Sequence, residues 1–307
     1  MFYIIGESIH VIAPPVRAAI ESRDTEFIQD LARRQVKKGA SAVDLNIGPQ
    51  KKLGTEIMPW IVNAVQQVVD VPLSLDTTNS AAIEAGLKVC KKKAFINSTD
   101  ATPERLQALM PLAAKYGANI ISLTLGSTGL PTTADMRIEL ASEKILPVAA
   151  ENMVPMTNIY LDPLVLTVNG NQEQAIQTIN AMRFFKQMAD PPPFTTCGLS
   201  NISNSCPKEI RPLLNRMYFI MMAGAGLDTA IADTLDDELM EVIHILDAGT
   251  ASSAKGKLYL RLYQNYKDGV EFDQSGFDTS KEEISDMVKT VRILENKTLY
   301  AHSYLKL

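Results

Sequence analysis

The fold is indicated most clearly by residues 41–76, SAVDLNIGPQKKLGTEIMPWIVNAVQQVVDVPLSLD. This stretch opens with a short apolar run that contains Asp44 and ends in Asn46, continues through a helical segment, and closes with a second apolar run that ends in Asp76. Strands of such a βαβ unit pair in parallel and are buried on both faces, so they read as apolar runs. Because acids and amides are costly inside these runs, we expect them at the carboxyl ends, where they reach an open pocket.

The same pattern recurs along the chain. Four further apolar runs end in a carboxylate or a carboxamide: AFIN (94–97), NIYLD (158–162), CGLSN (197–201) and AIAD (230–233). Eight strands are predicted, near residues 2–6, 42–47, 72–76, 94–97, 119–124, 158–162, 194–199 and 227–232. Eight strands that alternate with helices favour a closed (β/α)8 TIM barrel, in which the polar strand ends converge on one mouth.

Helices are predicted between these strands, over residues 24–38, 55–69, 79–90, 103–117, 133–151, 171–188 and 211–223. The helix at 103–117 has Thr102 as a candidate N-cap, Pro103 in its first turn and Gly117 as its stop. A doubly wound sheet is disfavoured because no GxGxxG pattern follows the first strand.

A single domain, residues 1–307, is predicted, with one irregularity near its end. Residues 248–286 interrupt the final helical region and are interpreted as an insertion. Within the insertion, KLYLRLYQNYKDG (257–269) predicts a helix with one apolar face. That face contains Leu258, Tyr259, Leu262, Tyr263 and Tyr266. We expect it to pack on the barrel or on a second copy of the chain, with a protein-docking surface as the alternative.

Composition and residue spacing exclude several classes of function. The net charge is −5 and the pI is near 5.4, and the lysines at 91–93 are expected in a solvated loop, so nucleic-acid binding is not expected. No apolar run reaches the roughly 18 residues of a membrane span and no signal peptide is recognisable, which predicts a cytoplasmic protein without membrane contact. Three cysteines without CxxC spacing and three scattered histidines predict no tightly bound metal.

The polar strand ends suit the binding of a planar heterocycle. The sequence shows no recognisable pairing of a nucleophile with a histidine base, which disfavours acyl transfer through a covalent intermediate. A carboxylate can accept two hydrogen bonds from an amine and an adjacent ring N–H, as on the edge of a pterin, while a carboxamide both donates and accepts. Asp76, Asn97 and Asp162 end strands three, four and six and could surround such a ring, although their spacing alone does not name the ligand.

Six motifs in order resemble one known family: IGE (5–7), DLNIG (44–48), LDTTN (75–79), INST (96–99), YLDPL (160–164) and GLSNIS (198–203). They resemble the methyltetrahydrofolate:corrinoid protein methyltransferases, over residues 1–247 and again over 287–307. The resemblance implies a pterin-binding barrel that moves a methyl group between N5 of tetrahydrofolate and the cobalt of a cobalamin carried by a separate corrinoid protein. The segment 248–286 is the main departure from the family pattern.

The resemblance also implies roles for individual residues. Asp76, Asn97 and Asp162 would hold the pterin ring, and Asn201 would be the catalytic group that hydrogen-bonds near N5. The remaining pocket residues it implies are Asn46, Gly198, Ser200 and Arg216.

The expected chemistry agrees with the absence of a protein nucleophile. An amine leaves poorly as an anion, so N5 must be protonated or hydrogen-bonded as its methyl group departs, and reduced cobalt attacks the methyl carbon. Because an amide is not a useful acid, the proton is expected to arrive through a network that Asn201 orients. Asp44 and Asp233 stay without a role, and Glu7 is expected to hydrogen-bond across the barrel rather than touch the ligand.

Two rival functions are considered. A dihydropteroate synthase would share the pterin barrel, but it is expected to place a lysine at the end of strand seven and an Arg-His pair after strand eight, whereas strand seven here ends in GLSN (198–201). A non-catalytic folate-binding barrel is the second rival.

The setting of methyl transfer is left with two alternatives. The insertion favours a demethylase system, in which a methylated corrinoid protein donates to tetrahydrofolate. The alternative is transfer from 5-methyltetrahydrofolate to a corrinoid iron-sulfur protein in acetyl-CoA synthesis. The family further suggests a homodimer.

Overall fold

A computed structural model describes residues 1–305 and contains a closed barrel of eight parallel strands in chain order, β1 to β8. This confirms the predicted (β/α)8 architecture. The strands are Tyr3–Gly6, Ala42–Asn46, Leu73–Asp76, Phe95–Thr99, Asn119–Leu123, Ile159–Asp162, Phe194–Gly198 and Thr229–Ala232. The pairing of β1 with β8, from Tyr3 with Thr229 to Gly6 with Ala232, closes the barrel.

Helices surround the barrel and are numbered α1 to α13 in chain order. They are Pro14–Ser22, Thr25–Lys37, Gly54–Val65, Ser80–Leu87, Pro103–Tyr116, Ala134–Glu139, Leu146–Glu151, Val168–Asn171, Gln174–Phe185, Arg211–Gly224, Asp237–Ala248, Ala254–Lys267 and Glu282–Leu294. Their apolar faces and the outward strand residues, such as Leu45 and Leu75, form the main hydrophobic core between the two layers.

The inner face of the barrel has an apolar lower layer. Side chains alternate between the two faces of a strand, so residues two apart point the same way. Ile5, Ala42, Phe95, Ile121 and Tyr160 form an inner cluster separate from the outer core, and the rings of Phe95 and Tyr160 meet edge to face at 5.0 Å. Residues two positions further along the chain therefore also face inward, and all of them except Leu123 on β5 are polar residues of the mouth.

Two regions of the helical layer differ from the prediction. Helix α1 was not predicted, although Pro14 and Pro15 at its start are a recognisable helix-initiating signal. The single helix predicted over 133–151 consists of α6, a π-helical segment Leu140–Ile145 and α7.

Residues 248–286 contain the predicted amphipathic helix as α12. Its Leu258, Tyr259 and Leu262 are fully buried, and it packs on α10 and α11. The approach to α10 is close, since a Cβ added at Gly224 would lie 2.6 Å from the carbonyl oxygen of Tyr263. The expectation that this face packs on the barrel is confirmed.

Candidate active site

The polar mouth is formed by inward-facing residues at the carboxyl ends of the strands. Asp44 and Asn46 follow Ala42 on the inner face of β2, Asn97 follows Phe95 on β4, and Asp162 follows Tyr160 on β6. Asp76 lies between Asn46 and Asn97, because it pairs in register with both. The structure thus brings Asp44, Asn46, Asp76 and Asn97 together and places Asp162 on the same inner face of the barrel.

Two hydrogen bonds connect the first half of this mouth. Asn46 donates its side-chain amide to Asp76, and Asn97 donates to Asp44 at 2.9 Å. The second bond joins β4 to β2 past the intervening β3, so it must cross the barrel interior. The amide groups are thereby oriented. The oxygen of Asn46 accepts the backbone N–H of Gly48 at 3.0 Å, and the oxygen of Asn97 is left as an acceptor for a ligand.

Burial raises the pKa values of the carboxyl groups in the mouth above the ordinary values for aspartate. Burial raises the pKa of Asp44 to about 6, against the opposing hydrogen bond from Asn97. Burial, together with the neighbouring charge of Asp44, raises the pKa of Asp76 well above its usual range. A ligand that offers N–H donors would stabilise the ionised forms and offset part of this desolvation.

Asp162 lies on the opposite side of the mouth from Asp76. Its carboxylate accepts the backbone N–H of Leu164 at 2.8 Å. Burial raises its pKa to about 7, although the backbone N–H groups of Leu164 and Gly198 and the charge of Arg137 oppose the rise. A Cβ added at Gly198 would lie 3.0 Å from the amide nitrogen of Asn201, so a larger residue there would displace the Asn201 side chain by a few tenths of an ångström.

Ser200 and Asn201 lie in the 3-10 turn Leu199–Ser203 that follows β7. The amide oxygen of Asn201 accepts a hydrogen bond from Asn204 at 3.1 Å, which leaves its NH2 group directed toward Gly198. Ser200 donates its hydroxyl to the carboxylate of Glu7. The expected hydrogen bond of Glu7 across the barrel is therefore present.

Arg216 has a different environment from the other pocket candidates. It lies in the second turn of α10 and forms ion pairs with Glu238 and, at 4.0 Å, with Asp236, both beyond β8. Asp233, also beyond β8, accepts the backbone N–H of Leu235 at 3.0 Å and is exposed. These contacts give Arg216 and Asp233 structural partners of their own.

Sequence reasoning missed two arginines that support the mouth. Arg137 on α6 is fully buried and donates to the carbonyl of Pro163 at 2.6 Å and to Gln174 at 3.1 Å. Arg105 on α5 donates to the carbonyls of Thr78 and Ser98, which joins the loop after β3 to the end of β4. Both lie in amphipathic helices whose sequence predicts only solvent-exposed arginines, so no motif marks them.

The described part of the chain offers no cluster of metal ligands and no membrane-spanning helix. Among residues 1–305, no group of three or more histidine, cysteine or acidic side chains is arranged to hold a metal ion. Each described helix is too short or too polar to cross a membrane.

The sequence of this chain is similar to those of a known protein family and of two characterised enzymes. The model of the family described as pterin binding enzyme matches residues 17–233. A methylcorrinoid:tetrahydrofolate methyltransferase of Eubacterium limosum is 27% identical over 268 residues, which cover 87% of this chain and 97% of that protein. Methionine synthase of Mycobacterium tuberculosis is 27% identical over an alignment that covers 92% of this chain, which spans only 27% of that longer protein.

Solved structures with a similar fold include two dihydropteroate synthases. The enzyme of Yersinia pestis has a TM-score of 0.57 and 16% identity, covering 80% of this chain and 93% of that one. The enzyme of Thermus thermophilus has a TM-score of 0.55 and 18% identity, covering 80% of this chain and 94% of that one. At this identity the likeness shows the shared barrel alone.

Proposed function

The chain belongs to the pterin-binding enzyme family, and from this premise we propose that it is a methyltransferase that moves a methyl group between N5 of tetrahydrofolate and the cobalt of a corrinoid protein. The observation that carries the proposal is the mouth itself, where Asp76 and Asp162 end β3 and β6 and Asn97 lies in the carboxyl-terminal half of β4, beside Asp76. The family resemblance over 97% of the Eubacterium limosum methyltransferase supports the same activity.

The proposed roles follow from the chemistry of each side chain. Asp76 and Asp162 accept hydrogen bonds from the amine and ring N–H groups of the pterin, and Asn97 supplies a carbonyl oxygen while its NH2 group is held by Asp44. Asn46 orients Asp76. These groups bind and orient the ring without changing charge during the reaction.

Asn201 is the proposed catalytic residue. Its oxygen is occupied by Asn204, so its NH2 group is the part free to hydrogen-bond N5. Cobalt held by the partner protein supplies the nucleophile when 5-methyltetrahydrofolate is the methyl donor. The protein contributes the geometry and the hydrogen bond that stabilises N5 as the methyl group leaves.

Arg216 is the least supported of the proposed pocket residues, because its guanidinium is already paired with Glu238. We propose that it fixes the loop after β8 at the edge of the pocket, while Gly198 and Ser200 line the pocket beside Asn201.

For the physiological direction, we propose transfer from a methylated corrinoid protein to tetrahydrofolate, within a cytoplasmic demethylase system. The name of the Eubacterium limosum relative, methylcorrinoid:tetrahydrofolate methyltransferase, supports this direction. Transfer in the opposite direction, as in acetyl-CoA synthesis, would use the same pocket. A homodimer is part of the proposal and is measured by sedimentation.

The proposal is tested by methyl exchange between 5-methyltetrahydrofolate and free cob(I)alamin, followed by the visible spectrum. The wild type is expected to transfer the methyl group. Asn201→Ala should lower the transfer rate by about 100-fold with little change in folate affinity, because its hydrogen bond strengthens only as N5 gains charge.

Asp162→Ala is the matched variant in this experiment. It should mainly weaken folate binding, by about tenfold or more, because it removes a bond already present in the bound state. Tight folate binding without any transfer by the wild type would instead indicate a non-catalytic binding barrel. If both variants weaken folate binding equally and neither lowers the transfer rate, the roles given to Asn201 and Asp162 are contradicted.

A further inference from the structure

An ionisable group is hydrogen-bonded to Ser200, the residue that precedes Asn201. Glu7 follows the end of β1, and its carboxylate accepts the hydrogen bond of the Ser200 hydroxyl. Because β8 lies between β1 and β7 in the closed barrel, this bond spans the mouth rather than joining neighbouring strands. Ser200 directly precedes Asn201, so the carboxyl of Glu7 contacts the residue adjacent in sequence to the one proposed to hydrogen-bond N5.

The proposed reaction requires a proton at this place. When the N5–CH3 bond breaks, its electron pair stays on N5, which needs one proton to become the neutral secondary amine of tetrahydrofolate. The carbon forms its new bond with the electron pair of cobalt. An amide such as Asn201 can hydrogen-bond N5 but has no proton to give at neutral pH.

We propose that Glu7 holds the proton that N5 takes up, and that the Ser200 hydroxyl relays it. The protonated Glu7 carboxyl donates to Ser200, whose own hydroxyl proton passes to N5, leaving a carboxylate on Glu7 and an N–H on tetrahydrofolate. In the opposite direction the same carboxylate takes the N5 proton back. This inference rests on the proposed function and assigns Glu7 a role through Ser200, without direct contact with the pterin.

The surroundings of Glu7 suit a group that changes protonation during turnover. Burial raises its pKa to about 7, the Ser200 hydrogen bond opposes this, and the carboxylates of Asp233 beyond β8 and Asp44 on β2 raise the pKa further. Cys197 on β7 is buried, and burial raises its thiol pKa well above the usual range, so it stays neutral. His10, beyond β1, has a pKa lowered by burial and is neutral at pH 7.

The experiment compares the wild type with Glu7→Gln, which keeps the size of the side chain and cannot carry the proton. Rates are measured in both directions, from 5-methyltetrahydrofolate to cob(I)alamin and from methylcob(III)alamin to tetrahydrofolate. In the wild type the first rate should fall as the pH rises through about 7, where Glu7 loses its proton, and the second should rise. In Glu7→Gln, both rates should no longer change with pH near 7. Each rate should be about 100-fold lower than the wild-type rate at the pH where the wild type is fastest in that direction.

Two further variants separate proton transfer from a structural effect. Asp233→Asn keeps the oxygen that accepts from Leu235 but removes a negative charge near Glu7, so both pH limbs should move to lower pH without a loss of maximal rate. Ser200→Ala should slow transfer about as much as Glu7→Gln, because it interrupts the relay. Thermal unfolding should stay near wild type in all three variants, and folate affinity should stay near wild type in Glu7→Gln and Asp233→Asn.

A direct readout comes from infrared difference spectra recorded during a pH titration. Glu7 and Asp162 should both contribute protonated carboxyl bands that disappear near pH 7, so the spectrum of Glu7→Gln is subtracted from that of the wild type, which leaves the band of Glu7 alone. If the wild type transfers the methyl group and Glu7→Gln shows the same pH dependence of the rates, the role of Glu7 is overturned while the proposed methyltransferase activity is supported. A wild type that binds folate but transfers no methyl group would overturn both.

Discussion

The pKa of Asp162 leads to a prediction at the scale of one residue. If its carboxylate accepts hydrogen bonds from the pterin, folate binding must release the proton held below about pH 7. Folate affinity should therefore rise by up to about tenfold per pH unit as the pH approaches 7 from below, and then level off. Fluorescence titration of tetrahydrofolate binding measures this, and Asp162→Asn should reduce the slope. A slope that Asp162→Asn leaves unchanged would assign the titration to another group.

Arg137 provides the matched comparison. Its charge lowers the pKa of Asp162, so Arg137→Met should move the affinity curve to higher pH, whereas Arg137→Lys should keep its position. Both variants should lose stability in urea, because hydrogen bonds to Pro163 and Gln174 are lost from a fully buried site. Identical pH curves for Met and Lys would show that the charge of Arg137 does not reach Asp162.

At the scale of elements, the contact between α10 and α12 depends on Gly224. Helix propensity favours alanine over glycine by up to about 1 kcal/mol. Against this, the Cβ of an alanine would lie 2.6 Å from the carbonyl oxygen of Tyr263 and 3.0 Å from the backbone nitrogen of Lys267. Both are backbone atoms, so they cannot rotate out of the way as a side chain could. We expect Gly224→Ala to lower the free energy of unfolding by about 1 to 3 kcal/mol in urea, with folate affinity unchanged. A stabilised variant would contradict this close packing.

The difference between strands and helices explains how much the sequence could predict. Asp76, Asn97 and Asp162 could be recognised because each interrupts an apolar run at the point where a parallel strand must end. Arg137 could not be recognised in this way. An arginine on an amphipathic helix has the same local sequence pattern whether its side chain is in solvent or hydrogen-bonds a buried carbonyl group, such as that of Pro163. Its burial depends on the distant residues Pro163 and Gln174, which local periodicity does not contain.

At the scale of the whole molecule, the rim of the mouth is expected to meet the corrinoid protein. Ile12, Leu53 and Leu130 lie on the loops after β1, β2 and β5 and are 75%, 50% and 53% exposed. A partner that brings cobalt to the mouth must contact these loops, so we expect Ile12→Glu or Leu130→Glu to weaken its binding by about tenfold. Reaction with free cobalamin should be unchanged.

Met153 supplies the control for this surface. It is 86% exposed but precedes β6, so it lies at the opposite end of the barrel. Met153→Glu should leave partner binding, measured by surface plasmon resonance with the corrinoid protein, at the wild-type value. Equal losses in Met153→Glu and Ile12→Glu would indicate nonspecific charge repulsion rather than docking at the mouth.

The aromatic layer below the mouth has a kinetic consequence. Phe95 and Tyr160 pack beneath the polar residues of the mouth, so we expect the proposed pocket to have its entrance at the mouth. A partner seated over that entrance would block the passage of folate, and the two substrates must therefore add in a fixed order, folate first. Folate must likewise leave last, so the residence time of the partner sets an upper limit on turnover however fast the methyl group moves.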